Sequence, residues 1–263
     1  MTLSQAEKAA QFRSLHERPG AFVIANPWDA GSARLLAGLG FEALATSSGA
    51  SAAARGRKDG ELSREEALRH VRDIVAATDL PVSADFENGF GDSPAHVADT
   101  IRLAGEAGLV GASIEDFTGD KSRPFYDLGL ATERIAAAAA AARALPFASF
   151  TLTARAENFL RGNADLDDTI ARLRAYEAAG ADVLFAPGLP DLDAVRTVCA
   201  ALAKPLNFMA GMPGKSFSVA ALEAVGVKRI SLATSLYRAA MKAVRDAATE
   251  IRSAGTFGYV DRL

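Results

Sequence analysis

Short apolar runs alternate with longer helical patterns along this chain, and that alternation limits the possible folds more than any other feature. Eight runs are typical of β-strands, at positions 22–26, 43–47, 82–87, 112–115, 149–155, 183–186, 206–208 and 229–232. Each is followed by a helical pattern, at roughly 31–39, 64–78, 94–107, 132–144, 167–179, 192–202, 219–225 and 235–253. Repeated strand and helix units imply parallel strands, and eight such units predict a closed (β/α)8 TIM barrel.

The main alternative is an open, doubly wound sheet. That fold usually carries G-x-G-x-x-G after its first strand, and no such motif follows the first predicted strand. A length of 263 residues, of which 49% are hydrophobic, suits one barrel, because α/β barrels of this size commonly form one domain. We therefore expect residues 1–263 to form a single (β/α)8 barrel domain.

Charge and cysteine content exclude several classes of protein. The formal net charge is −3 and the Lys and Arg residues form no stripe, so nucleic acid is not an expected partner. The single cysteine, Cys199, excludes a disulfide framework and a cysteine-based zinc site. The longest apolar run, 135–142, is too short to span a membrane, and residues 1–8 are polar and helix-like rather than a signal sequence. We expect a cytoplasmic protein with no membrane partner.

The segment V-S-A-D-F-E-N at 82–88 is the strongest indication of chemistry in the sequence. Because strand side chains alternate between faces, Asp85 and Glu87 should leave the end of the third strand on the same side. Neighbouring carboxylates repel each other, and a divalent cation between them removes that cost. Hard oxygen ligands of this kind suit Mg²⁺. Alternatively, the pair is simply solvated at a strand end.

Polar residues collect at the carboxyl ends of several predicted strands, where (β/α)8 barrels carry their active sites. A metal ion with an anionic ligand would explain them together. Carboxylates would hold the cation, Arg155 would bind a carboxylate or phosphoryl group, and the amides of Ser48 and Gly49 would donate to another oxygen. Simpler explanations also exist, since Arg155 could pair with Glu157 and Ser47 could cap a turn. The residues concerned are Thr46, Ser47, Ser48, Gly49, Asp85, Glu87, Asn88, Glu115, Asp116, Arg155, Glu157, Asn158 and Asn207.

Six short motifs together resemble one family of enzymes. They read W-D-A-G-S-A-R-L-L at 28–36, A-T-S-S-G at 45–49, D-G at 59–60, S-A-D-F-E-N-G at 83–89, S-I-E-D at 113–116 and L-T-A-R-A-E-N at 152–158. In combination they are similar to the isocitrate lyase/phosphoenolpyruvate mutase superfamily. The similarity extends from about residue 26 to residue 207.

The resemblance implies a set of site residues. Mg²⁺ would bind at the mouth of the barrel with Asp85 as the direct ligand, and Glu87 and Glu115 would hold its waters. Asp59, in the loop after the second strand, would support them. A second aspartate is usual in the family at the position of Glu87, which has a longer side chain. The substrates are small 2-oxo or 2-hydroxy acids, and the substrate-binding residues expected in this chain are Ser47, Ser48, Gly49, Arg155 and Asn207.

The loop after the fourth strand departs from the family pattern. Lyases of the family carry K-[KR]-C-G-H there, with the cysteine as acid/base, and mutases carry a lysine and an asparagine. Here the loop reads F-T-G-D-K-S-R-P-F-Y-D at 117–127, so that Lys121 matches the gate lysine and Arg123 the cysteine or asparagine. Cys199 belongs to a later helical pattern and cannot replace the gate cysteine. Lys121 is expected to be catalytic together with Arg155 and Asp59, although it could equally be a solvated loop lysine.

Members of the family share one chemistry, in which Mg²⁺ chelates a 2-oxo acid and stabilises the enolate formed when a bond to C3 breaks. A gate without a cysteine favours a reaction whose departing fragment needs no proton. The resemblance therefore predicts a Mg²⁺-dependent carbon–carbon bond lyase acting on a small anionic 2-oxo acid, with decarboxylation or cleavage of oxaloacetate favoured. The alternatives are a phosphonopyruvate hydrolase or phosphoenolpyruvate mutase, and a barrel that binds a 2-oxo acid without catalysis.

The last helical pattern carries an apolar stripe at three- and four-residue spacing. The stripe consists of Leu236, Ala240, Ala243, Val244, Ala247 and Ile251. A monomeric barrel would bury it in its own wall. Members of the resembled family instead exchange this helix between paired subunits and form tetramers. The resemblance therefore implies a homo-oligomer, a dimer of dimers with an exchanged C-terminal helix.

Overall fold

The computed structural model of the protein describes residues 3–147 and 149–262. Its strands are β1 (Phe22–Ile24), β2 (Leu44–Ala45), β3 (Val82–Asp85), β4 (Gly111–Glu115), β5 (Thr151–Arg155), β6 (Val183–Phe185), β7 (Leu206–Met209) and β8 (Val227–Ser231). Its α-helices are α1 (Gln5–Glu17), α2 (Ala30–Gly38), α3 (Ser48–Ala53), α4 (Arg64–Ala77), α5 (Pro94–Glu106), α6 (Leu128–Arg143), α7 (Leu166–Ala178), α8 (Leu192–Ala201), α9 (Val219–Ala224) and α10 (Ser235–Ala254). Two short 3-10 helices span Asn158–Arg161 and Val260–Arg262.

The strands form one parallel sheet in the order β1-β8-β7-β6-β5-β4-β3-β2. β1 and β2 meet at the remaining seam, where Ala25 pairs with Leu44 and the Ala45 N–H donates to Ala25 O over 2.9 Å. Asn26 reinforces this seam, because its Nδ2 donates to Ala45 O over 2.8 Å and its Oδ1 accepts the Leu232 N–H over 2.8 Å. The sheet is thereby nearly closed into a cylinder, and the predicted (β/α)8 TIM barrel is confirmed.

Helix α1 covers the amino-terminal end of the barrel. Phe12 is fully buried there, and a Cβ added at Gly111 would lie 3.0 Å from its ring and 2.8 Å from Thr151 O. Only glycine therefore fits at this position of β4. The His16 ring packs edge-on against Phe22, with 5.0 Å between ring centroids. Because α1 fills this end, a ligand has access from the carboxyl ends of the strands.

Two expectations about local structure are wrong. The third strand ends at Asp85 rather than at Glu87, because Glu87 has a φ of +49° and turns the chain out of the sheet. Ser47 caps a helix rather than a turn, because α3 begins at Ser48 and the Ser47 Oγ accepts the Ala50 N–H over 3.4 Å. The run S-G-A-S-A-A has no apolar periodicity that would have indicated a helix.

At the amino terminus, helical structure begins at Gln5, after a capping box formed by Ser4 and Glu7. The helix-like pattern expected over residues 1–8 is therefore present from Gln5 onward, and Met1 and Thr2 lie outside the described residues. No helix in the described ranges combines the length and the apolar character needed to cross a membrane.

Helix α10 packs little of its surface on the barrel. None of its 20 residues is buried, and Val244 and Ile251 of the apolar stripe are 59% and 38% exposed. Its first turn contacts the barrel through Tyr237, whose ring meets Trp28 edge-on with 5.6 Å between centroids. The stripe is therefore not buried in the wall of its own barrel.

Candidate active site

Asp85 lies at the end of β3, where its neighbours fix its carboxylate. The Ser48 Oγ donates to Oδ2 over 2.9 Å, and the Glu87 N–H donates to Oδ1 over 3.2 Å. The Asp85 N–H donates in turn to Thr46 Oγ1 over 3.2 Å. The side chain is 16% exposed, toward the mouth of the barrel. Asp85 is thus held in a defined orientation and still has access to a ligand.

The Glu87 side chain lies near Asp85, but for a different structural reason from the one expected. Alternation along a strand does not apply, because β3 has ended and Glu87 adopts the left-handed conformation with φ +49°. Its carbonyl accepts the Glu115 N–H over 2.8 Å, which joins the turn to β4. Residues other than glycine rarely adopt this conformation, and such strain is often found at functional sites.

Four carboxylates, those of Asp59, Asp85, Glu87 and Glu115, lie close enough to affect one another's protonation. Burial, followed by the charges of Asp85 and Asp59, raises the pKa of Glu87 to about 8. Burial raises the pKa of Glu115 well above its ordinary value, and Glu157 and Asp85 add to this effect. Burial and the Asp85 charge also raise the pKa of Asp59. This acidic cluster therefore favours the binding of a cation.

Arg155, at the end of β5, lies between the carboxylates. Its Nε donates to Glu157 Oε1 and is 3.4 Å from Glu115 Oε2, and its Nη1 is 3.7 Å from Asp85 Oδ2. Burial opposes its charge, but the three carboxylates outweigh burial and raise the pKa of Arg155. The ion pair between Arg155 and Glu157, which the sequence offered as an alternative to a ligand-binding role, is present. Arg155 nevertheless lines the cleft at the barrel mouth, so the pairing orients it there.

The carboxylate oxygens of the acidic cluster are ligands of the kind that suit a hydrated divalent cation. Among the residues that the structure describes, no three Asp, Glu, His or Cys side chains are close enough to hold an ion by themselves. A site with one direct protein ligand does not require that, because Mg²⁺ usually keeps several of its waters. Asp85 is available as that ligand, and the donors around it are carboxylate oxygens. Burial is the main cause of the raised pKa values of Glu87 and Glu115, and neighbouring carboxylates add to it, while Arg155 and Arg161 oppose it.

The Ser47-Ser48-Gly49 segment adjoins this cluster. Ser47 caps α3, and the Ser48 hydroxyl and N–H both contact Asp85. A Cβ added at Gly49 would lie 3.4 Å from the Asp59 carboxylate, so glycine lets the Asp59 loop approach α3. Both serine side chains are thus hydrogen-bonded within the protein, and Ser47 also lines the cleft.

Asn207 lies deeper in the same cleft, on β7, and is 1% exposed. Asp85, Arg155, Arg229 and Ser231 also line this cleft. Arg229 was not singled out from the sequence, because it lies two residues before the end of its strand and points into the barrel. A cleft lined by two guanidinium groups, those of Arg155 and Arg229, suits a small anion.

The gate loop, residues 117–127, folds back as a small hairpin. Phe117 and Phe125 form an antiparallel bridge at its base. Lys121 is exposed near the tip, and the charges that shift the pKa values of the acidic cluster do not include it. The structure therefore does not bring Lys121 into the cluster. The base of the loop is tied to the turn after β3, because Asn88 Nδ2 donates to Thr118 O over 3.3 Å.

Arg161 also belongs to the site, although the sequence reading missed it. Its Nε donates to Glu157 Oε2 over 2.9 Å, its Nη2 is 3.6 Å from Glu115 Oε1, and its guanidinium lies 3.6 Å from the centre of the Phe117 ring. Arg161 therefore joins the acidic cluster to the base of the gate. The polar residues that continue after the fifth strand were the one sequence feature that could have indicated Arg161. Its position over the mouth depends on the 3-10 helix Asn158–Arg161.

Arg134, on α6, supports the turn that follows Glu87. Its side chain is almost fully buried and donates to the carbonyls of Asn88, Gly91 and Asp92, with 2.6 Å to Gly91 O. The helix around it is rich in alanine, so its sequence gave no sign of this role.

Comparison with known proteins gives concordant results. The family model described as phosphoenolpyruvate phosphomutase matches residues 12–252. An oxaloacetate decarboxylase from Paraburkholderia xenovorans (strain LB400) is 30% identical over 261 residues, which cover 96% of this chain and 85% of that protein. A 2-methylisocitrate lyase from Halalkalibacterium halodurans is 30% identical over 262 residues, with the same coverage of 96% and 85%.

Among solved structures, a protein from Burkholderia cenocepacia J2315 that is described only as a lyase or mutase superposes with a TM-score of 0.96. It is 57% identical, and the match covers 98% of this chain and 92% of that one. These matches extend over the barrel and over the strand ends that carry the acidic cluster. The chain is therefore an enzyme of the isocitrate lyase/phosphoenolpyruvate mutase superfamily, a family of lyases and mutases.

Proposed function

We propose that this protein is a Mg²⁺-dependent carbon–carbon bond lyase that acts on a small anionic 2-oxo acid, with oxaloacetate as the favoured substrate. The observation that carries the proposal is the position of the Arg155 guanidinium beside the acidic cluster, with Arg155 and Asp85 both lining one small cleft. A cation site next to a fixed guanidinium suits a ligand that has a metal-chelating end and a second anionic group.

In this proposal Asp85 would contact the metal, and Asp59, Glu87 and Glu115 would hold its water ligands. Bound there, Mg²⁺ would supply Lewis-acid stabilisation of the negative charge that develops on the 2-oxo group. Arg155 holds the distal carboxylate. Because Glu157 already fixes the Arg155 side chain, little reorganisation accompanies this contact.

Decarboxylation suits the residues of the gate. The gate sequence at 117–127 contains no cysteine. Cys199 cannot take its place, because it lies on α8 and burial raises the pKa of its thiol to about 11. A departing carboxylate-bearing fragment needs a proton from such a group, whereas departing CO₂ needs none. The pyruvate enolate that remains still takes up a proton at C3, and water supplies that proton after CO₂ has left. The residues at the mouth then have only to bind and orient the substrate.

Steady-state rates on oxaloacetate, isocitrate, 2-methylisocitrate and phosphonopyruvate, each with and without chelator, test this proposal. We expect oxaloacetate to be the best substrate and the chelator to abolish turnover. Fast cleavage of 2-methylisocitrate would mean that another acid replaces the cysteine.

Cleavage or rearrangement of a phosphorus–carbon bond is the second candidate. It is supported by the two guanidinium groups that flank Glu157, those of Arg155 and Arg161, since a phosphoryl group is bound by paired guanidinium groups as readily as a carboxylate. A clear preference for phosphonopyruvate among the four compounds would replace the first proposal with this one.

We also propose that the protein assembles as a dimer of dimers in which α10 packs on a neighbouring subunit. The support is that α10 is amphipathic and has no buried residue. An isolated helix of this kind stabilises itself poorly, so its apolar face is expected to be covered by another surface.

A further inference from the structure

Arg229 occupies the centre of the barrel and has no acidic partner. It is 5% exposed, and within the described ranges no carboxylate oxygen lies within 4.0 Å of it. Its Nη2 donates to Thr153 Oγ1 over 2.9 Å, and its Nε donates to Asn207 Oδ1 over 2.8 Å. A buried charge is costly unless its hydrogen bonds are satisfied, so an uncompensated guanidinium at this position calls for an explanation.

Beneath Arg229, the His16 side chain can only accept a hydrogen bond from it. His16 Nδ1 lies 2.8 Å from Phe12 O, so Nδ1 carries the proton and Nε2 is left as the acceptor. Nε2 is 3.5 Å from Arg229 Nη1. Burial and the neighbouring Arg229 charge lower the pKa of His16 to about 3, so the ring is neutral at neutral pH and keeps this arrangement.

On the other side, Arg229 fixes the direction of a chain of hydrogen bonds. A guanidinium donates and never accepts, so Asn207 must present Oδ1 to it and Nδ2 to the other side. The Nδ2 donates to Ser231 Oγ over 3.0 Å. Because this bond occupies Ser231 as an acceptor, the Ser231 hydroxyl proton is directed elsewhere. Ser231 lines the same cleft as Asp85 and Arg155.

We propose that Arg229 is a positioning residue that acts through Asn207 to direct the Ser231 hydroxyl proton into the cleft, where it donates to an anionic oxygen of the 2-oxo acid. The proposal rests on the proposed function, since it concerns the same ligand. It adds Ser231 to the residues that contact the ligand. It also gives the buried charge of Arg229 a role. Because a guanidinium can only donate, each hydrogen bond from Arg229 through Asn207 to Ser231 is donated in the direction of the cleft.

Binding of oxalate in the presence of Mg²⁺, measured by calorimetry at pH 7, tests the proposal without relying on turnover. Ser231→Ala removes the donor, Arg229→Gln keeps a polar side chain that can also accept, and Arg229→Lys keeps a donor-only cation. Thr153→Val is the matched control, because it removes a contact of Arg229 outside the chain that leads to Ser231. Thermal unfolding of each variant shows whether it is folded.

We expect Ser231→Ala and Arg229→Gln each to weaken oxalate binding about tenfold or more, as for loss of a hydrogen bond to a charged group. The Arg229→Gln/Ser231→Ala double variant should bind oxalate with no lower affinity than the single variant that binds it less tightly. Arg229→Lys should bind oxalate more tightly than Arg229→Gln, and Thr153→Val should bind it like the wild type. Unchanged affinity of Ser231→Ala, or additive effects in the double variant, would overturn the inference while the proposed function stands. If the wild type binds no oxalate with Mg²⁺, the proposed function fails and the inference fails with it.

Discussion

The N–H of Glu87 donates to Oδ1 of Asp85 over 3.2 Å, so the proposed metal ligand is oriented by the residue two positions after it. That contact depends on the left-handed backbone of Glu87, at φ +49°. It also holds the two carboxylates near each other, and the Asp85 charge adds to the burial that raises the pKa of Glu87.

The stability of the metal-free protein should decrease as the pH rises from about 5 to 8.5. The folded pKa of Glu87 is about 8, above its ordinary 4.5, so the folded state holds this proton more tightly than the unfolded chain does. The resulting stability is fully present below the ordinary pKa and is lost as the pH rises through the folded pKa. Glu87→Gln cannot titrate and should show a flatter profile, with a melting temperature about 3 °C or more above the wild type at pH 8.5. Parallel profiles for the two proteins would contradict this.

Mg²⁺ affinity should show the opposite dependence on pH. A metal that is bound by this cluster must displace the Glu87 proton, so affinity should rise by up to about tenfold per pH unit between pH 6 and pH 8. Calorimetry in two buffers of different ionisation enthalpy would detect the released proton. An affinity that is constant over this range would place Glu87 outside the metal site.

Replacement of Asp85 by alanine should abolish Mg²⁺ binding and reduce turnover by about 10³-fold or more, because a metal contributes several kcal/mol of charge stabilisation. Folding should be retained, because the change removes one of several mutually repelling carboxylates. Glu65→Ala is a suitable control, since the Glu65 side chain is 82% exposed on α4. Calorimetry that finds unchanged Mg²⁺ affinity in Asp85→Ala would show that the direct ligand is another residue.

The gate variant Lys121→Ala should retain most of the oxaloacetate activity, within about threefold, if departing CO₂ needs no proton. Isocitrate and 2-methylisocitrate should remain poor substrates, because a positioned general acid is typically worth about 10²–10⁴-fold. A loss of more than about 10²-fold with oxaloacetate would instead assign Lys121 a catalytic role when the gate is closed over the substrate.

The sequence was sufficient to predict the barrel because its evidence is local and repeated. Each strand and helix has its own apolar pattern, and eight parallel units close in one way. The residues directly at strand ends, such as Asp85 and Arg155, could also be located, since a position at the end of a strand determines a place at the mouth.

The positions of other site residues could not be predicted from the sequence, because they depend on the three-dimensional structure. The left-handed backbone of Glu87 and the 3-10 helix that returns Arg161 to the mouth have no periodic signature. The contacts of Arg229 with His16 and Asn207 join residues that are 213 and 22 positions apart in the chain. Only the closed barrel brings such residues together.

The apolar stripe of α10 predicts how the assembly should respond to mutation. Ile251→Glu places a charge in the stripe, and because α10 buries no residue on its own barrel, it should leave the subunit folded while reducing the oligomer to smaller species. Thr249→Glu, on the opposite face of the same helix, is the matched control. Light scattering at micromolar concentration measures both, and a wild-type particle with the mass of a single chain would rule out the proposed dimer of dimers.

The most direct test of the central claim is the rate of pyruvate formation from oxaloacetate, measured against the rate in buffer that contains the same Mg²⁺ but no enzyme. The account predicts catalysed turnover in the wild type with Mg²⁺, no acceleration with chelator, and none in Asp85→Ala under either condition. Turnover that survives the chelator, or that is equal in Asp85→Ala and the wild type, would contradict a lyase mechanism that depends on a cation held by the acidic cluster.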